Sequence, residues 1–141
     1  MADPKRGPGR AVAALWCIAV LAAAGSLFSG YLTVYTFVSG QPGCEVFILG
    51  MPSCFYGTLM YAAVFVLALG LSARRRTRSG VGVVMAAFSA FGIAFAAYLT
   101  ETALAAVSCT KFEILGLPPC VYGLFMYLVL LALALFAALR R

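Results

Sequence analysis

The chain has 141 residues, of which 65% are hydrophobic and only 10% are charged, and its formal net charge is +6. A soluble domain of this size does not bury so much apolar surface, so the composition excludes an ordinary soluble protein and indicates residence in a bilayer. The basic run ARRRTRS contains no aromatic residue and lies between two apolar stretches, where such runs normally record membrane topology. No nucleic-acid partner is therefore expected.

Four apolar stretches follow a basic tail of residues 1–10. Each is near or above the roughly 20 residues that a membrane helix needs, and they cover residues 11–38, 55–73, 81–107 and 121–139. A basic linker, residues 74–80, divides the chain into repeat 1, residues 11–73, and repeat 2, residues 81–139. The sequence thus predicts an all-α integral membrane four-helix bundle made of two tandem two-helix repeats.

The basic residues predict the orientation of the bundle. Nine of the ten lysines and arginines lie in the tail, in the linker or at the end of the fourth span, and only Lys111 lies elsewhere. Basic residues near helix ends stay on the cytoplasmic side during insertion. Both termini are therefore expected to be cytoplasmic, and the loop within each repeat is expected outside. The membrane itself is expected, as a separate prediction, to be a prokaryotic cell membrane.

An internal duplication relates the two repeats. Residues 48–57 read ILGMPSCFYG and residues 114–123 read ILGLPPCVYG. At offsets of 65 to 67 residues the matched pairs include Tyr31 with Tyr98, Cys44 with Cys109, Cys54 with Cys120, Tyr56 with Tyr122 and Met60 with Met126. Each unit has two spans, so both copies have the same orientation and should be related by an approximate two-fold axis along the membrane normal.

Four cysteines are predicted on the outer side. Cys44 and Cys109 lie in the loops, and Cys54 and Cys120 open the second and fourth helices. An even number of cysteines in an oxidising compartment favours disulfides, and four cysteines allow three pairings. Pairing within each repeat is favoured, Cys44 with Cys54 and Cys109 with Cys120.

Such bridges have three possible roles. The first is structural: they could hold the outer helix ends together. The second is thiol exchange, because a helix N-terminus favours the thiolate form of cysteine. A metal site is the third possibility. Tetrahedral cysteine sites generally use pairs spaced by two to four residues; the chain has no such pair and no histidine, so no metal is predicted.

Several of these residues together resemble a known family. The segments are Tyr31-Leu32-Thr33, FILGMPSCFYGTLMY at residues 47–61 and FEILGLPPCVYGLFMY at residues 112–127. They look like the vitamin K epoxide reductase superfamily, which includes the bacterial quinone-dependent disulfide-forming membrane proteins. The resemblance implies a four-helix bundle whose outer thiols pass electrons to a quinone. That family keeps a Cys-x-x-Cys pair, whereas this chain has Pro-Ser-Cys54 and Pro-Pro-Cys120 as its closest equivalents.

Two hypotheses follow. In the first, the protein is a thiol-disulfide oxidoreductase with all four outer cysteines as catalytic residues: Cys44 and Cys109 meet an extracytoplasmic thioredoxin-like partner, and Cys54 or Cys120 passes electrons inward to a quinone. In the second, it is a non-enzymatic bundle, either a small transporter or an assembly subunit, with two structural disulfides. A central transport path would need polar residues facing the axis, and the second and fourth helices supply almost none.

Three residues are the candidates for contact with the quinone. Glu101 lies one turn beyond Tyr98 at the outer end of the third span, where an ionisable group is a functional candidate. Tyr56 and Tyr122 follow the helix-opening cysteines. The tyrosines at 56, 61, 122 and 127 also fit an interfacial aromatic belt.

Overall fold

The computed structural model describes residues 9–40, 47–74, 79–105 and 119–139. Within them the chain forms four helices and one short hairpin. Their bounds are α1 Gly9–Ser39, β1 Phe47–Ile48, β2 Met51–Pro52, α2 Ser53–Arg74, α3 Ser79–Ala105 and α4 Pro119–Leu139. The predicted all-α four-helix fold is confirmed.

All four helices are long and apolar enough to cross a membrane, over Val12–Ser39, Ser53–Ser72, Gly82–Thr102 and Pro119–Phe136. A helix satisfies its backbone hydrogen bonds internally, which the hydrocarbon region demands. Large apolar side chains such as Trp16, Leu27 and Phe125 lie on the outer surface of the bundle, as they do in a protein surrounded by lipid. The chain is therefore a polytopic membrane protein.

The helices pack in the order that the duplication predicts. α1 packs mainly against α2 and α3 mainly against α4, while smaller contacts join α1 to α4 and α2 to α3. Exchanging the two repeats leaves this pattern unchanged, as an approximate two-fold axis requires. The core residues come from all four helices and include Leu15, Ile18, Ala22, Tyr61, Val64, Ala68, Met85, Ala96, Tyr127, Leu130 and Ala134.

Two tyrosines meet at the centre of this core. The rings of Tyr61 and Tyr127 stack with their centroids 4.4 Å apart and their planes 8° from parallel. Each ring also lies against a glycine of the preceding helix, Tyr61 against Gly25 and Tyr127 against Gly92. The two tyrosines are each only 3% exposed, so the interfacial-belt interpretation is wrong for them; the missing side chains of the glycines give the rings room inside the bundle.

The hairpin before α2 was not predicted from the sequence. β1 and β2 pair antiparallel, Phe47 opposite Pro52 and Ile48 opposite Met51. The two residues between them, Leu49 and Gly50, have φ values of 53° and 79°, as a type I′ turn requires. This turn brings the chain directly into the first turn of α2. The matching segment of repeat 2, residues 114–118, lies outside the described residues.

We expect Gly25→Ala and Gly92→Ala each to lower the free energy of unfolding by about 1 to 3 kcal/mol, as overpacking substitutions do. An added Cβ would lie 2.7 Å from the Tyr61 ring or 2.5 Å from the Tyr127 ring, and each ring is held by the other. Denaturation of the purified protein by titration with sodium dodecyl sulfate would measure the effect.

Gly70→Ala is the matched control, because a Cβ at Gly70 meets nothing within 4 Å and alanine is the better helix former. Equal stability of the three variants would contradict a tightly packed tyrosine pair.

Candidate functional site

A small cavity lies between the four helices, between the tyrosine stack and the N-terminal ends of α2 and α4. Its volume is about 70 Å³, it is partly open, and its lining is nearly all apolar. Most of the lining consists of residues related by the duplication: Phe28 with Phe95, Ser29 with Ala96, Leu32 with Leu99, Ser53 with Pro119, Cys54 with Cys120, Gly57 with Gly123, and Tyr61 with Tyr127. The cavity therefore lies on the approximate two-fold axis.

Two of the predicted catalytic cysteines are brought together here. Cys54 and Cys120 are the second residues of α2 and α4, and both are half-buried and line the cavity. Tyr61 and Tyr127 lie seven residues further along the same helix faces, roughly 10 Å deeper at 1.5 Å per residue. The cysteines thus lie at the end of the cavity beside the helix N-termini, and the stacked rings lie at its inner end, deeper in the bundle.

The start of each helix places its cysteine at the cavity. Ser53 and Pro119 are the first residues of α2 and α4, and both are buried. Proline suits this position because its fixed φ is helical and its missing N–H would have no partner in the helix. Two helix N-termini with their partial positive charge therefore lie beside the two sulfur atoms.

The walls of the cavity differ between the repeats. In repeat 1 the Thr58 hydroxyl donates to Ser29 Oγ at 3.0 Å, and the Ser29 hydroxyl donates to the Gly25 carbonyl oxygen at 2.8 Å. The corresponding residues of repeat 2 are Ala96 and Leu124, whose apolar side chains cannot form these hydrogen bonds. The Thr58–Ser29 hydrogen bond therefore joins α1 to α2 at one wall, and repeat 2 lacks the side chains for the same bond between α3 and α4.

The three predicted quinone contacts lie outside this lining. The Tyr56 hydroxyl donates to the Ile48 carbonyl oxygen at 3.0 Å, and its ring meets the edge of Phe95, with the centroids 6.4 Å apart. Tyr122 is half-buried in the first turn of α4, and Glu101 is exposed near the end of α3. Their role in quinone binding stays a prediction.

Two of the predicted catalytic residues, Cys44 and Cys109, lie outside the described residues. The predicted pairings of Cys44 with Cys54 and of Cys109 with Cys120 each include one of them and stay predictions. The fifth cysteine, Cys17, is exposed on α1. Among the described residues, no three His, Cys, Asp or Glu side chains converge as a metal site would require.

Sequence reasoning missed several residues of the lining, above all Phe28 with Phe95, Leu32 with Leu99, and the tyrosine stack. A usable signal was present. These pairs recur within the same range of offsets, 65 to 67 residues, as the cysteines, and so do Gly25 and Gly92. Paired recurrence on consecutive turns of a helix indicates a face that lies on the symmetry axis.

The size and chemistry of the cavity limit what it can hold. An apolar cavity that binds benzene has a volume of about 150 Å³. The volume of this cavity is about half of that. The cavity is therefore too small for a whole six-membered ring and has room only for the edge of one, with the rest of the ring at the opening. Its apolar lining suits an apolar ring, and the two sulfur atoms lie at the end beside the helix N-termini.

No protein-family model, curated protein or solved structure matches this chain. The fold and the cavity define a membrane-spanning four-helix protein with two cysteines at a shared apolar site.

Because Cys54 and Cys120 line one cavity, we expect a short bis-maleimide to cross-link them. The substrate is a variant with Cys17, Cys44 and Cys109 replaced by serine and a protease site introduced within residues 75–78. After cross-linking and cleavage, the two repeats should stay joined on a denaturing gel.

A variant that keeps only Cys17 and Cys120 is the control, because Cys17 lies on the bundle surface toward the opposite end of α1. Separation of the repeats in the Cys54 and Cys120 variant would refute the shared site.

Proposed function

We propose that this protein is a membrane thiol-disulfide oxidoreductase, which oxidises thiols outside the membrane and passes their electrons to a quinone within it. One observation carries the proposal: Cys54 and Cys120, from different repeats, line a single apolar cavity between membrane-spanning helices. A purely structural bridge needs no such cavity. The resemblance to the vitamin K epoxide reductase superfamily points to the same class of reaction.

The reaction balances as a two-electron exchange. A dithiol of an extracytoplasmic thioredoxin-like protein reduces a disulfide of this chain by thiolate attack and passage through a mixed disulfide. The chain's own two thiols then lose two electrons and two protons and form an S–S bond again. A quinone bound at the cavity supplies the acceptor for these electrons and protons and leaves as the quinol.

The residues have distinct places in this scheme. Cys44 and Cys109 are proposed to meet the protein partner, because both are predicted in outer loops. Cys54 and Cys120 are proposed to face the quinone, because both line the cavity. Gly57 and Gly123 lie one turn deeper and also line it, so the absence of their side chains keeps space open beside the sulfurs.

The apolar lining would also control what reaches the sulfurs. A lining that is nearly all apolar holds water poorly, since a buried water needs two to four polar partners. A quinone, by contrast, dissolves in the hydrocarbon and can approach from the membrane. The cavity therefore favours electron transfer to a lipid-soluble acceptor over exchange with dissolved thiols.

The tyrosine stack argues against the transporter alternative. Tyr61 and Tyr127 lie where the two repeats meet on the approximate two-fold axis, and they are almost completely buried. A central path along this axis would have to pass through the stacked rings. A non-enzymatic assembly subunit would differ from the oxidoreductase in having disulfides that a quinone does not reoxidise.

The proposal requires the cysteine loops to be outside. After mild reduction of intact cells, we expect a membrane-impermeant maleimide to label Cys44 and Cys109, because nine of the ten basic residues favour the other side. Mass spectrometry of the labelled peptides would measure this. Labelling that occurs only in permeabilised cells would reverse the orientation and remove the proposed protein partner.

The activity itself is tested with the purified protein. We expect a mild dithiol to reduce at least one bridge and a soluble quinone analogue to reoxidise it, as followed by thiol titration and quinol absorbance. Cys54→Ala or Cys120→Ala should lower reoxidation to the rate seen without quinone. Cys17→Ala, which alters an exposed cysteine away from the cavity, is the matched control and should leave the rate unchanged.

Persistence of both bridges under the dithiol, with no quinone consumed, would show instead that the disulfides are structural.

A further inference from the structure

The hairpin before α2 carries apolar side chains that no other part of the described chain covers. Phe47 and Met51 are exposed, and Leu49, at the tip, is 93% exposed. The hairpin segment FILGMP, residues 47–52, contains no charged side chain and no side chain that forms hydrogen bonds. Because neighbouring exposed apolar residues mark a contact surface, the hairpin is a candidate for contact with something outside the bundle.

The residue at the tip is unusual for its backbone conformation. Leu49 has a φ of 53° and Gly50 a φ of 79°, and these two positions of a type I′ turn are normally occupied by Asn, Asp or Gly. A leucine there adds backbone strain and leaves a large apolar side chain uncovered. Strain of this kind clusters at functional positions, which indicates that the leucine side chain makes a contact of its own.

The hairpin lies at the end of a membrane span. The apolar span of α2 begins at Ser53, directly after the hairpin, and has 20 residues. At 1.5 Å per residue this span is about 30 Å long, which equals the thickness of the hydrocarbon core of a bilayer. Ser53 therefore lies at the boundary between the hydrocarbon and the lipid head groups.

Contacts with the first turn of α2 hold the hairpin at this height. The Tyr56 hydroxyl donates to the Ile48 carbonyl oxygen at 3.0 Å, and the Tyr56 ring makes edge-to-face contacts with Phe55 and Phe95. Pro52, at the base of the hairpin, is almost completely buried. The base is thus fixed within the fold, and the hairpin stays close to the start of the helix.

We propose that the hairpin is a membrane-interface anchor, whose Phe47, Leu49 and Met51 side chains insert between the lipid head groups and the upper part of the acyl chains. The lipid-facing surface of α2, which includes Leu59, then continues onto the hairpin. Interfacial elements insert about 5 to 10 Å, and a deeper position would deprive the backbone groups of the turn of hydrogen-bond partners. Cys54, three residues after Met51, is thereby held at the membrane boundary.

Tryptophan fluorescence in lipid vesicles measures the depth of the hairpin. Trp16 is the chain's one tryptophan, so Trp16→Phe provides a full-length background into which Leu49→Trp is introduced. The protein is reconstituted into phosphatidylcholine vesicles whose acyl chains carry bromine either near the head group or near the methyl end. Bromine quenches a tryptophan that it contacts, and acrylamide in the buffer measures exposure to water.

We expect the tryptophan introduced by Leu49→Trp to be quenched more strongly by the shallow bromine than by the deep bromine. It should also be less accessible to acrylamide than free N-acetyltryptophanamide is. Phe47→Trp should give the same result at a hairpin position without positive φ, so a turn distorted by tryptophan does not decide the outcome.

Leu27→Trp in the same background is the matched control. Leu27 is 76% exposed and lies near the middle of the span Val12–Ser39, so its tryptophan should be quenched more strongly by the deep bromine.

Three results would overturn the inference. Free access of acrylamide to both hairpin tryptophans, with no quenching by either bromine, would show that the hairpin faces water and is available to a soluble protein. Stronger quenching by the deep bromine would place the hairpin within the hydrocarbon. Protection from all three quenchers would show that another protein surface, such as a second copy of the chain, covers it. None of these results depends on cysteine oxidation, so the anchor is tested independently of the proposed oxidoreductase.

Discussion

The stacked rings of Tyr61 and Tyr127 hold this bundle together. Each ring contacts the other and a glycine of the preceding helix, so one continuous contact runs from α1 through α2 and α4 to α3. Lipid tails are as apolar as leucine, so membrane helices associate through close packing and not through a hydrophobic driving force. An aromatic pair seated on two glycines is such a packing unit. Its position also closes the inner end of the cavity and so sets the cavity's depth.

Much of the fold could be predicted from the sequence. Length and hydropathy predict four spans within a few residues of α1 to α4, because a membrane helix must be apolar over its whole length. The same uniform apolar character prevents the packing faces of the helices from being predicted. A helix that is apolar on every side gives no periodicity to distinguish lipid-facing residues such as Leu27 from core residues such as Ile18.

The candidate site was predictable only in part. Cys54 and Cys120 stand out because the flanking motif is repeated, and the structure brings both to one cavity. Tyr61 and Tyr127 do not stand out, since only three-dimensional packing reveals that their rings stack at the inner end of the cavity. The hairpin was missed because Leu49 is an unusual residue for the positive φ of a type I′ turn.

The two repeats are similar in backbone but not in chemistry. Ser29 and Thr58 form a polar contact between α1 and α2, and repeat 2 has Ala96 and Leu124 in their place. Cys54 and Cys120 therefore have different neighbours, although they occupy equivalent positions. In a duplicated site that has diverged in this way, the two cysteines can have different roles.

The shared stack also has a consequence for biogenesis. Repeat 1 leaves the ribosome first, with the ring of Tyr61 seated on Gly25 but its other contact still missing. Until α4 inserts, that ring has no stacking partner and its hydroxyl has no Gly123 carbonyl to bond, since both belong to repeat 2. Each half of the chain is thus an incomplete assembly partner, and maturation in the membrane ends with the docking of one helical hairpin onto the other.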